Sequence, residues 1–298
     1  MAVFSGIKDV INAEMAGKVR DYVYRKTPSQ ATTQGIWFDL SMSPGMPAPK
    51  YWFDALPLSA RAITQSADGG FFHGQNVYPS QKYLRSITIT GISSSTTNPC
   101  PMSAILCDYL LYYPTVDDGT TDEQVMDNTV TLPRYTDGKG VQMIAVTTGS
   151  RFGGQTFTIK YTNQDGVTGR VTPVLTQNSS VAIGTLTNTN QAVPGGAGPF
   201  IPLADGDYGV RAVESVTMNG VDVGLFSIIL VKPLAQLTIR EIVTSTAATI
   251  GIPYEKDLLM HDNMLPRIYD DAFLNYLVLP LASIGTTTIT GSLKVIWN

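Results

Sequence analysis

The chain has 298 residues, of which 43% are hydrophobic and only 15% charged, and it carries a formal net charge of −4 at pH 7. That length supplies a core for one large β domain or two smaller ones. An acidic balance without any Lys/Arg cluster excludes a field that gathers phosphates, so no direct nucleic-acid partner is expected. A charge content well below roughly 25% leaves Thr, Ser, Asn and Gln to dress the surface. Such neutral polar surfaces can lie against other protein without stranding charges.

Residues 1–26 do not read as a signal peptide, because Lys8, Asp9, Glu14, Lys18, Arg20 and Asp21 interrupt every apolar run. No apolar stretch reaches the roughly 18 residues of a membrane span. The expectation is a soluble protein made in the cytoplasm, without a membrane partner. Cys100 and Cys107 stand in a C-x6-C spacing that fits no zinc pattern, and free thiols are expected.

In chain order, Phe4, Ile7, Ile11, Met15, Val19 and Tyr22 follow one another at three- and four-residue steps. That spacing predicts one amphipathic helix ending by Thr27-Pro28, a helical arm over residues 1–27. Such a helix packs on its own domain, reaches a neighbouring subunit, or lies on a membrane surface. From Trp37 onward the signals become short apolar or alternating runs punctuated by Gly, Pro, Asn and Asp, so residues 28–298 are expected to form a β-rich body. Ile87 and Ile89 alternate. Phe157, Ile159 and Tyr161 alternate before a turn at residues 163–166, where Gly166 can take the positive φ of a hairpin. Residues 225–231 are almost continuously apolar, as in a strand covered on both faces. Ile289, Leu293, Val295 and Trp297 share one face of a closing strand. The fold class is therefore mainly β, an antiparallel sandwich or jelly-roll-like body with an N-terminal amphipathic helix. A sub-domain boundary is read at residues 149–154. The stretch 194–199 (P-G-G-A-G-P) reads as a loop or bend, since it lacks the G-K-[ST] ending of a phosphate cradle.

Chemistry is sparse. The two histidines, His73 and His261, have no nucleophile signature beside them. Asp257 and His261 would share a helical face and could meet a metal with Asp262, but polar residues in a loop between strands are ordinary. Asp270 and Asp271 are adjacent, so on a strand they point to opposite faces and cannot share a substrate. Arg267 is their expected ion-pair partner. Asp117, Asp118 and Gly119 lack the alternate ligands of a calcium loop and read as a solvated turn. Asn178 opens a glycosylation sequon that carries little weight without a secretory signal. Cys107 is expected in the core, and Tyr109, Tyr112 and Tyr113 in the core or at an interface. No enzyme activity, metal or cofactor is expected.

Several phrases matter as phrases: W-F-D-L-S-M-S-P-G-M-P-A-P-K-Y-W (37–52), H-G-Q-N-V (73–77), K-Y-L (82–84), D-G-D-Y-G-V-R-A-V-E-S-V-T (205–217), L-P-R-I-Y-D-D-A-F-L (265–274) and G-S-L-K-V-I-W (291–297). Together they resemble tailed-bacteriophage virion proteins found beside major capsid proteins, of the head decoration or cement kind. The resemblance runs through most of the chain after Trp37 and implies a β-rich homo-oligomer, a trimer, on the outer head. Its partner would be the major capsid protein or another virion protein. Candidate interface anchors are Phe4, Ile7, Ile11, Met15, Val19 and Tyr22 of the helix, with Trp37, Tyr51 and Trp52 of the proline-rich segment. A tail, neck or baseplate part is the alternative, and a carbohydrate-active enzyme on a β scaffold is a further one.

Overall fold

The apolar stretches 104–113 and 225–231 lie in the two longest strands. The computed structural model describes residues 4–94, 98–180, 182–187, 197–244 and 253–298. Its main elements are α1 (Ile7–Met15), β1 (Val19–Lys26), β2 (Phe38–Asp39), β3 (Gly45–Met46), β4 (Lys82–Ser93), β5 (Met102–Asp117), β6 (Gln142–Gly149), β7 (Thr156–Asn163), β8 (Val210–Met218), β9 (Leu225–Ile239), α2 (Leu258–Asp262), β10 (Phe273–Leu279) and β11 (Thr287–Trp297). The antiparallel sandwich expected from the sequence is present, as three sheets rather than two.

The central sheet runs β2–β10–β5–β9–β6. Residues 184–187 close it into a small barrel. On one side Thr147 N–H donates to Thr185 O (2.8 Å) and Thr187 N–H to Ala145 O (2.9 Å). On the other, Asp39 N–H donates to Gly184 O (2.8 Å) and Leu186 N–H to Trp37 O (2.9 Å). Trp37, Trp52, Cys107, Tyr109, Ile144, Val146, Leu186 and Phe273 belong to the core that fills the barrel. Closure covers the outer edges of β2 and β6 at these residues.

The outer wall of the barrel carries both remaining sheets. Along β5, Tyr109 opposes Val231 and Leu111 opposes Leu230, so Leu110 is an extra residue that shifts the alternation by one. Before it, Ala104 and Leu106 pack with Ile87, Ile89, Leu293 and Val295 of the first flanking sheet. After it, Leu111 and Tyr113 pack with Phe157, Ile159, Tyr161 and Val213 of the second. With both faces covered, β5 and β9 must read as continuous apolar runs. Residues 149–154 are the crossing from β6 to β7, and the core of Tyr113, Met143, Phe157 and Val216 spans both sides of it. The hairpin at residues 163–166 forms as read, with Gly166 at φ +79°. Residues 194–196 of the Gly/Pro-rich stretch lie outside the described residues.

The N-terminal segment corrects the sequence reading. The helix spans only Ile7–Met15, and Val19–Lys26 is a strand paired residue by residue with β11. Gly17, at φ +71°, ends the helix. From there Tyr22, Tyr24 and Lys26 recur at two-residue spacing with Tyr24 and Lys26 buried, which a helix could not satisfy. The first flanking sheet runs β4–β11–β1–β3 and includes the short strands Val243–Thr244, Tyr254–Asp257 and Arg267–Ile268.

Candidate assembly surface

The nine expected anchors separate into two groups. Trp37 and Trp52 are buried at 5% and 0% exposure, so they are not surface anchors. Proline-rich backbone does take an irregular path, but it returns Trp52 into the barrel. There its ring lies 5.6 Å from Tyr109, nearly parallel, and edge-on to Phe273. Its Nε1–H donates to Asp39 (2.8 Å), a carboxylate that also accepts from Tyr109 OH (2.7 Å) and from the backbone and hydroxyl of Ser41. Burial raises the Asp39 pKa against these donors. Lys26 clamps the same segment from outside, with its Nζ–H groups donating to Ser41 O, Ser43 O and Ala48 O. Burial lowers the Lys26 pKa to about 8. Tyr51, by contrast, stays half exposed and stacks with Phe53.

Of the helix residues, Val19 and Tyr22 belong to β1, where Tyr22 meets Phe72 edge-on. The helix docks in cis through Val10 and Ala13, which pack with Tyr83 and Ile296. Phe4 lies 5.2 Å from the Tyr83 ring. Small Val and Ala side chains let the helix approach the sheet closely, so the docking face is not the one with the largest residues. Ile7, Ile11 and Met15 remain 59%, 48% and 83% exposed along one ridge. Arg85 fixes the helix laterally by pairing with Glu14 (2.9 Å) and with Asp257. Between α1 and α2 lies a groove of about 290 Å³ lined by Ile7, Val10, Leu259, Met264 and Leu265. Met264, which also lines it, and Met260 of α2 are exposed. These two methionines were missed in the sequence because L-M-H-D-N-M was weighed for metal ligands, not for apolar content.

The titratable groups that attracted attention are held in structural contacts. His73 is fully buried: Nε2–H donates to Ala272 O (2.9 Å), leaving Nδ1 to accept from Lys82 Nζ (3.1 Å). Lys82 also binds Gly74 O, Gln75 O and the Asp270 carboxylate. Burial and the Lys82 charge lower the His73 pKa to about 4. Lys82, not Arg267, is thus the partner of Asp270. Arg267 lies over the Tyr269 ring, and Asp271 accepts from Ser66. Asp118 is no solvated turn; it is fully buried in a bidentate pair with Arg151. Asp108 forms a second buried bidentate pair with Arg134 where the two flanking sheets meet, and burial raises its pKa to about 6. Cys107 is buried, and both cysteines are free. Among the described residues, no three His, Cys, Asp or Glu side chains are grouped to hold a metal ion. None of their helices is long and apolar enough to cross a membrane.

No family model and no curated protein matches the chain. Among solved structures, it is similar to the infectious bursal disease virus VP2 subviral particle at 11% identity, covering 94% of this chain and 81% of that one, with a TM-score of 0.17. It is likewise similar to the infectious bursal virus derived T=1 particle at 12% identity, covering 94% and 76%, with a TM-score of 0.13. TM-scores of this size carry no inference about fold or assembly, and the β architecture rests on the strands themselves.

Proposed function

We propose that the chain is a structural subunit of a tailed-phage virion that binds the outer head as decoration or cement, bridging neighbouring capsid subunits. The observation that carries this reading is the Ile7–Ile11–Met15 ridge. A helix anchored by Val10, Ala13 and Arg85 presents three large apolar side chains to solvent, and the exposed Met264 lines a groove with the first of them, Ile7. Water-exposed apolar ridges on pinned elements are where protein partners bind. The low charge of the chain supports the same reading, and so does the resemblance of its phrases to virion proteins. The mechanism is mechanical: each copy adds contacts that must break before the shell can open, and the contribution sums over many copies.

The test is co-sedimentation of the purified chain with particles assembled without it, followed by cryo-EM of the pellet. Regular density on the outer head is expected. Density confined to the tail or neck would transfer the reading to that part of the virion, and absence from the pellet would defeat it.

A further inference from the structure

Strand β1 leaves most of one edge unpaired. Trp297 N–H donates to Lys18 O (3.1 Å), and the register continues as Arg20 opposite Val295, Tyr22 opposite Leu293 and Tyr24 opposite Gly291. In an antiparallel ladder alternate residues exchange hydrogen bonds with one neighbour, so the even-numbered residues bond to β11 and the odd-numbered ones face the other way. On that other side β3 pairs only with Arg25 and Lys26, and Thr27 N–H donates to Pro44 O. The chain leaves the sheet after Met46, where Pro47 has no N–H to offer. The N–H and C=O groups of Val19, Asp21 and Val23 therefore point outward, without a backbone partner among the described residues, and Val23 is 78% exposed. Under this edge opens a groove of about 250 Å³ lined by Arg20, Tyr22, Phe72, Val77 and Trp297.

We propose that this edge accepts an extended strand from a different virion polypeptide, which takes up the line that β3 abandons at Pro47. The proposal rests on the assembly reading and names its contact. Backbone bonds to Val19, Asp21 and Val23 supply the affinity, and a side chain entering the groove beside Tyr22 and Phe72 supplies the selectivity. The charges argue against a second copy of the chain. The two-fold register that uses the whole open edge sets Val19 against Val23 and therefore Asp21 against Asp21 of the other copy, a like-charge pair directly across the ladder. The incoming strand instead carries a neutral or basic residue opposite Asp21 and an apolar one opposite Tyr22.

Val23→Pro tests this directly. Its N–H points away from β11, so proline removes an outward donor without breaking the internal ladder, a position where edge strands tolerate it. Wild type and Val23→Pro are compared by co-sedimentation with particles assembled without the subunit. Amide exchange at Val19, Asp21 and Val23 is followed in the free and bound wild-type chain. Strand addition predicts slowed exchange at all three amides on binding, and binding several-fold to about tenfold weaker for Val23→Pro, the loss of one net hydrogen bond. Unprotected edge amides in the bound wild type, or equal binding by a folded Val23→Pro, would overturn the strand addition and leave particle binding standing. Concentration-dependent pairing of the free chain that protects the same amides would overturn the choice of partner. A wild type that stays in the supernatant defeats the assembly reading, and this proposal with it.

Discussion

Trp52 Nε1–H donates to the Asp39 carboxylate across 2.8 Å inside the barrel, joining the end of the proline-rich segment to the strand that precedes it. Asp39 also takes the Tyr109 hydroxyl and two groups of Ser41. Asp39→Ala strands all of these donors in a site without solvent, at about 1–3 kcal/mol for each group left without a partner. We expect a loss of about 4 kcal/mol or more in urea unfolding, with slowed closure of the barrel end. Trp52→Phe, which keeps the stacking and drops one donor, should cost only about 1–2 kcal/mol.

The pair of Asp108 and Arg134 sits where the extra residue Leu110 shifts β5 from one flanking core to the other. Arg134 also donates to Ile63 O and Tyr109 O, and Phe273 N–H donates to Asp108. Removing one partner leaves a buried charge alone, so Arg134→Met is expected to cost about 3–5 kcal/mol. Asp108→Asn with Arg134→Met should recover part of that loss. A double-mutant cycle in chemical denaturation reads the coupling, and strictly additive losses would show that the pair does not act as a unit.

Much of this fold was legible in the sequence because burial on both faces leaves a continuous apolar signature, as at residues 225–231, and because Phe157, Ile159 and Tyr161 kept strict alternation. The N-terminal helix was overextended for a physical reason: Val19 and Tyr22 continue a three- and four-residue spacing by coincidence, while the alternation of Tyr22, Tyr24 and Lys26 ends in a charged residue that reads as solvent-facing. Lys26 is buried because three carbonyls of residues 41–48 receive its ammonium, a contact between segments that no local pattern records. Trp37 and Trp52 looked like interface anchors for a similar reason, since barrel closure by residues 184–187 is a long-range event. The open edge of β1 was invisible because β3 is two residues long.

The ridge and the docking face of α1 make separable predictions. Ile11→Ser with Met15→Ser should leave thermal stability within a few degrees, because both side chains already face water, and should weaken particle binding. Val10→Asp should instead undock the helix from Tyr83 and Ile296 and lower the unfolding midpoint. Deleting residues 4–17 should keep the sheet, whereas a deletion reaching Lys26 removes β1 and exposes β11. Full particle binding by the Ile11→Ser, Met15→Ser chain would remove the ridge from the assembly surface.

His73 makes the acid dependence of stability specific. Its folded pKa of about 4 lies below the ordinary 6.5 through burial and the Lys82 charge. Between these values the unfolded chain binds a proton that the folded chain does not. The neutral imidazole therefore contributes full stability above about pH 6.5, and the contribution is lost as pH falls toward 4. Two and a half pH units correspond to about 3 kcal/mol at most. Asp108 works in the opposite direction near pH 4–6, because its raised pKa favours the protonated folded form, so the informative quantity is a difference between variants. His73→Gln can donate to Ala272 O and accept from Lys82 without titrating. Its unfolding free energy, measured from pH 4 to 7, should fall less steeply on acidification than that of the wild type. Parallel curves would show that the buried contact between His73 and Lys82 carries no pH dependence.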